Sequence, residues 1–178
     1  MNTGAQIVTF WLCLAEPARA QCAALIQNLA ARFDAPIFEP HVTILVVSAR
    51  AENFGAILER VANGRGPYRL LVQRIEFAEA FTKTLFVQFA QNPGLARLSE
   101  DLGRALPARS DYKLNPHLSL LYKDLSTEIK RDLADSIRLP FTELEFDSLK
   151  AVISPEKIES RADVEAWRVL AEHSLAPR

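Results

Sequence analysis

Two of the chain's three histidines stand in the same short phrase. It reads Pro40-His41-Val42-Thr43-Ile44-Leu45 the first time and Pro116-His117-Leu118-Ser119-Leu120-Leu121 the second. In a β-strand alternate side chains share a face, so His41 goes with Thr43 and His117 with Ser119, while Val42, Ile44, Leu118 and Leu120 turn the other way. The imidazole and hydroxyl of each strand are then about 6 to 7 Å apart, twice the strand rise per residue, which suits two contacts on one phosphate. Two imidazoles can serve as general base and general acid, and two hydroxyls can hold the oxygens of an anion. Such a set is equipped to cleave a phosphodiester. Proline lacks an N–H and is tolerated at a strand's first residue, so Pro40 and Pro116 mark strand starts and put both histidines at a groove mouth. Either histidine alone reads as a structural residue, and Thr43 or Ser119 alone as an ordinary strand residue. The identical offset in two copies is what singles them out.

The elements that must position these residues also come twice. Ile7 to Leu14 reads as a strand, and Pro17 suits the first turn of a helix running to about Phe33. His41 to Val47 is the next strand. Ala51 to Val61 has Phe54, Ile57, Leu58 and Val61 on one helical face and is ended by Asn63-Gly64-Arg65-Gly66-Pro67. Tyr68 to Ala80 and Leu85 to Phe89 read as strands of a hairpin joined through Phe81-Thr82-Lys83-Thr84. Leu95 to Leu106 is helical in pattern, His117 to Tyr122 is the second motif strand, and Ser126 opens a helix through Arg138 with Glu128 near its positive end. Phe141 to Ile153 and Trp167 to Leu175 supply further strands. This order predicts an α+β fold of two pseudo-symmetric lobes, each an antiparallel sheet with helices on its outer face, with an active-site groove between them. One domain spanning residues 1–178 is expected, with the lobe switch near 63–67.

Composition narrows the partners. At 178 residues, 49% hydrophobic and 24% charged, the chain is long enough for one sizeable core. Lys and Arg number 21 against 22 Asp and Glu, a net charge of −1, so no global positive field draws in a long polyanion. A small nucleotide fits better than extended nucleic acid. The two cysteines, Cys13 and Cys22, form no CxxC and no Cys/His cluster of metal-ligand spacing, and read as small buried apolar residues in a reducing compartment. The run Ile7 to Leu14 followed by Ala18-Arg19-Ala20 imitates a signal peptide, yet no Lys or Arg precedes it, and it falls far below the ~20 residues of a membrane span. A first strand in a cytoplasmic, monomeric protein with no membrane partner is the expectation. His173, beside Glu172, belongs to no motif and reads as structural.

The His-x-Thr/Ser pair, once in each half, resembles the signature of the two-histidine phosphoesterase superfamily, and the chain looks most like its cyclic phosphodiesterase branch. The resemblance runs through Phe38-Glu39-Pro40-His41-Val42-Thr43 and Asn115-Pro116-His117-Leu118-Ser119-Leu120-Leu121-Tyr122, and less strongly through Phe10-Trp11 and Trp167. It implies an enzyme that opens ADP-ribose 1'',2''-cyclic phosphate or a nucleoside 2',3'-cyclic phosphate to a monoester, without metal or other cofactor. On this resemblance His41 and His117 are the catalytic pair, and Thr43 and Ser119 hold the non-bridging oxygens. It implies His117 as the base that activates water and His41 as the acid, an order the residues themselves leave open. Tyr122 and Trp11 match substrate-contacting aromatics. Tyr122 falls on the opposite face by strict alternation, so core packing competes with substrate stacking unless the strand bends there. Lys83, at the expected hairpin tip, could reach a phosphate or remain a solvated loop charge. Plant members of the branch carry additional cysteines, and they differ around Phe81-Thr82-Lys83-Thr84.

Three readings follow. The first is a cyclic phosphodiesterase acting on a small cyclic-phosphate nucleotide. The second is an RNA-end enzyme of the 2'-5' RNA ligase type, which needs a basic, aromatic-lined track for several nucleotides. The third is a silent nucleotide-binding module.

Overall fold

The computed structural model describes residues 5–50 and 52–176. The first half runs β1 (Gln6–Leu14), α1 (Ala18–Phe33), β2 (His41–Ser48), α2 (Phe54–Ala62). After a turn with Gly64 at φ 75°, a conformation that suits glycine, come β3 (Tyr68–Glu76), a 3₁₀ turn (Phe81–Lys83) and β4 (Leu85–Phe89). Then follow α3 (Pro93–Ala105), β5 (His117–Leu121), α4 (Thr127–Ser136), β6 (Glu143–Pro155), α5 (Arg161–Glu165) and β7 (Arg168–Ser174).

All strand pairs among the described residues are antiparallel, in the order β1-β2-β5-β4-β3-β6-β7, with β1 also paired to β6. The two lobes therefore share one strand. The first four residues of β6 pair with β3, and the rest of that 13-residue strand pairs with β1 and β7. The chain leaves the first sheet after α2 and returns to it along β6. At the other end of the ring the two motif strands meet side by side, Val42 opposite Leu118.

The helices cross between halves. Helix α1 packs on β5 and α3 on β2, so each motif strand is covered by a helix from the other half. On α1 the buried residues Cys22, Ile26, Leu29 and Ala30 recur at helical spacing, and α3 buries Leu95, Leu98 and Leu102. These meet Val42, Ile44, Leu118 and Leu120, all fully buried. Burying one such side chain contributes about 1.5–3 kcal/mol. The apolar half of each motif is thus pinned to the core, which obliges the histidine and hydroxyl to face the other way.

Several boundaries differ from the sequence reading. The helix expected from Ala51 begins at Phe54, where the Asn53 side chain accepts the Ala56 N–H (3.1 Å); Ala51 itself lies outside the described residues. Strand β3 stops at Glu76 rather than Ala80, because residues 77–84 fold into the 3₁₀ turn, with the Ala78 N–H donating to the Lys83 carbonyl (3.0 Å). The short helix α5 was not expected. Its only sequence signal is Ser160-Arg161-Ala162-Asp163, in which the Ser160 hydroxyl caps the Asp163 N–H and donates back to the Asp163 carboxylate (2.7 Å). Among the described residues no helix is long and apolar enough to cross a membrane.

Candidate active site

His41 and His117 open β2 and β5, each directly after its proline. The residue before a proline is held extended, and in both halves that leaves its carbonyl within reach of the following histidine. His41 Nδ1 lies 2.7 Å from the Glu39 carbonyl oxygen, and His117 Nδ1 lies 2.8 Å from that of Asn115. A carbonyl only accepts, so each Nδ1 carries the proton and donates. Each Nε2 is left for the cavity that both rings line, a space of about 260 Å³.

The structure brings six of the seven sequence-predicted residues to that cavity: His41, His117, Thr43, Trp11, Lys83 and Tyr122. Ser119 is buried beside it, its hydroxyl donating to the Thr82 carbonyl (2.7 Å). A larger hollow, about 560 Å³, is lined by Gln6, Arg50 and Asn53 among others and touches neither motif. The motif cavity, although smaller, is where the titratable groups converge.

Tyr122 reaches the cavity because the strand bends. Across β4 and β5, Phe86 is opposite Ser119 but Leu85 is opposite Leu121, so Leu120 is an extra residue. Such a bulge reverses the alternation beyond it. Across β1 and β2, Trp11 is opposite Thr43 and Phe10 opposite Leu45, making Ile44 the extra residue. Both bulges fall three residues after the histidine. Tyr122 and Val46, each five after it, are returned to the cavity side, and Val46 also lines the cavity. Tyr122 stacks on Phe38 (centroids 4.0 Å apart, 11° between planes).

Aromatic rings wall the first half. Trp11 stacks on the His41 imidazole at 3.7 Å and 11°, and Trp167 stands edge-on to Trp11 (5.2 Å), His41 (6.0 Å) and Tyr122 (6.0 Å). Sequence reasoning held Trp167 only as a weak point of resemblance and missed Tyr112 and Val46. Tyr112, buried enough to push its phenol up to about 12, donates to the Thr43 carbonyl (3.0 Å). It comes from the loop before β5, where no periodic signal announces it.

Lys83 sits on the 3₁₀ turn. Thr84 anchors that turn, its hydroxyl within hydrogen-bonding distance of the Phe81 (2.9 Å) and Lys123 (2.6 Å) carbonyls, and Ser119 grips Thr82. The Lys83 ammonium is thereby held over the Phe86 ring (4.6 Å), which in turn meets His117 edge-on (5.5 Å). Lys83 is a cavity residue here rather than a freely solvated loop charge.

Burial sets the protonation of both rings. His41, 7% exposed, is pushed down to about 4 by desolvation, opposed by the Glu39 carbonyl and aided by the nearby His117 and Lys150. His117 is also lowered by burial, opposed by the Asn115 carbonyl and aided by Lys83. Behind the rings the halves diverge. The Lys150 ammonium grips both Glu39 carboxylate oxygens (2.7 Å each), whereas the Gln88 side-chain amide donates to Asn115 Oδ1 (2.9 Å) and to the Pro116 carbonyl (2.9 Å). Cys13 and Cys22 are buried free thiols, as expected, both pushed up by desolvation, Cys22 to about 11.

No protein-family model matches the chain. A cyclic phosphodiesterase of Arabidopsis thaliana is 23% identical over 175 residues, covering 96% of both chains. The chain resembles a cyclic phosphodiesterase along its length. Among solved structures, TT0787 of Thermus thermophilus superposes with a TM-score of 0.62 at 19% identity, covering 97% of this chain and 99% of that one. E. coli LigT, solved with 3'-AMP, gives 0.60 at 16% identity with the same coverage. The α+β fold is the one these solved structures share.

Proposed function

We propose that this chain hydrolyses the cyclic phosphodiester of a small nucleotide to a monoester, using His41 and His117 as the proton-transfer pair. The observation that carries the reading is that two imidazoles, each with Nδ1 committed to a carbonyl two residues back and so with Nε2 left for chemistry, line one cavity. The likeness to a cyclic phosphodiesterase supports the substrate class. ADP-ribose 1'',2''-cyclic phosphate and nucleoside 2',3'-cyclic phosphates are the candidate substrates.

The chemistry needs one neutral and one protonated ring. Water gives a proton to the neutral Nε2 as its oxygen bonds to phosphorus. The ring P–O bond breaks, and the departing ribose oxygen takes the proton from the imidazolium. The two rings end with exchanged protonation, and solvent resets them. In a singly protonated pair the proton resides on the less depressed ring. Burial weighs more heavily on His41, so His41 serves as the base and His117 as the acid, the reverse of the order implied by family resemblance. Thr43 donates to a non-bridging oxygen, and the Lys83 charge faces the phosphate from the other half. Trp11, Trp167 and Tyr122 pack the nucleoside.

The test is hydrolysis of ADP-ribose 1'',2''-cyclic phosphate and the four nucleoside 2',3'-cyclic phosphates in excess chelator, comparing wild type with His41→Ala and His117→Ala. Turnover lost in both variants is the expected result. A folded wild type inert on all five, or activity surviving both substitutions, contradicts the reading; turnover confined to RNA ends would favour the RNA-end enzyme.

A further inference from the structure

Lys150 is a buried cation that the proposed reaction does not use. It lies on β6 opposite Trp11, with its side chain 11% exposed, and it holds a carboxylate from a segment 111 residues earlier. That carboxylate belongs to Glu39, the residue whose backbone carbonyl accepts from His41 Nδ1. We propose that the Lys150–Glu39 ion pair is a positioning device for His41, clamping the Glu39 peptide so that its carbonyl fixes the imidazole and keeps Nε2 on the cavity.

A half-buried ion pair such as this one, with the Glu39 side chain 29% exposed, is weak in explaining stability, since desolvation of the ammonium offsets much of the attraction, so its placement calls for another account. Here the account is geometric. Both carboxylate oxygens are engaged at 2.7 Å, which removes the side-chain freedom of Glu39, and Pro40 restricts the backbone just after it. The second histidine has a counterpart without charge, Gln88 holding both Asn115 and the Pro116 carbonyl. Each histidine therefore has the residue that carries its acceptor carbonyl braced by the side chain, Glu39 by an ion pair from β6 and Asn115 by an amide from the adjacent β4.

The ionic brace has an electrostatic side effect. The ionisable groups about His41 are Cys13 on β1, opposite it in register; Glu39 before β2; Lys150 on β6; His117 on β5; and Glu172 on β7, 3.7 Å from the Lys150 ammonium. The ammonium disfavours a proton on His41, and the Glu39 carboxylate moderates that effect. Removing either partner should move the His41 titration, in opposite directions.

This inference rests on His41 being a reacting group, and the experiment separates the two. The imidazole titrations are followed by NMR in Lys150→Met, Lys150→Arg and Glu39→Gln, alongside kcat and KM on a nucleoside cyclic phosphate. Lys150→Met should raise the pH at which His41 titrates, Glu39→Gln should lower it, and His117 should not move in either. Lys150→Met should also lower kcat about tenfold with KM nearly unchanged, and Lys150→Arg should restore it. His41 titrating as in wild type in both Lys150→Met and Glu39→Gln, with kcat also as in wild type, overturns the proposal. If the wild type has no turnover, the functional reading fails, while the titrations still decide whether the pair controls His41.

Discussion

His41 and His117 share a motif, a preceding proline, an acceptor carbonyl at the same offset and a bulge three residues on, yet they stand in different surroundings. His41 is stacked beneath Trp11 and backed by the Lys150–Glu39 ion pair. His117 is more open, meets Phe86 edge-on and has Lys83 nearby, with a neutral amide behind it. The hydroxyls differ too. Thr43 lines the cavity, and among the described residues its hydroxyl has no protein partner, while the Ser119 hydroxyl donates to the Thr82 carbonyl and holds the turn that carries Lys83. A repeated backbone device can thus present two identical side chains while the layer behind assigns them unequal proton affinities. Acid–base catalysis on a phosphodiester needs that inequality.

Removing either ring should cost most, on the order of 10²–10⁴-fold in kcat/KM for His41→Ala and for His117→Ala, measured on a nucleoside cyclic phosphate. Equal, small losses would erase the comparison. The hydroxyls should separate next. Thr43→Val should lower kcat by about 10²–10³, the usual cost of a well-placed donor. Ser119→Ala should lower kcat less and instead raise KM, because it frees the Thr82 turn and with it Lys83.

Stability should follow the more buried ring. The His41 pKa in the folded state lies below its unfolded value, so between pH 6.5 and about 4 the unfolded chain binds the extra proton. Its contribution is fully present above pH 6.5 and is lost as pH falls through that window, by up to about 3 kcal/mol. Urea midpoints should fall accordingly in wild type and less steeply in His41→Gln; equal slopes would contradict the depressed value. The smallest effect belongs to Lys83→Gln. It should raise KM several-fold, weaken the salt dependence of binding and raise the pH at which His117 titrates, leaving His41 unmoved.

Much of this was legible in the sequence because the motif strands are amphipathic at period two, and their apolar residues fix which face the histidines take. The Ser126 cap is equally local, its side chain accepting the Ile129 N–H three residues on; Asn53 and Asn92 make the same contact but were not expected as caps. What escaped was non-local. Nothing near Lys150 announces that it meets Glu39, and nothing near Tyr112 announces the Thr43 carbonyl. The bulges at Ile44 and Leu120 arise from strand pairing, so the side on which Tyr122 lies could not be read from alternation. Aligning the two copies would have helped, since Val46 and Tyr122 hold the same place in each.

The most direct test of the unequal pair uses two substrates, a nucleoside 2',3'-cyclic phosphate and a nucleotide diester that releases 4-nitrophenolate, a leaving group that needs no acid. His41→Ala should be inactive on both, whereas His117→Ala should be inactive on the first and recover on the second. Recovery in His41→Ala instead would contradict the account.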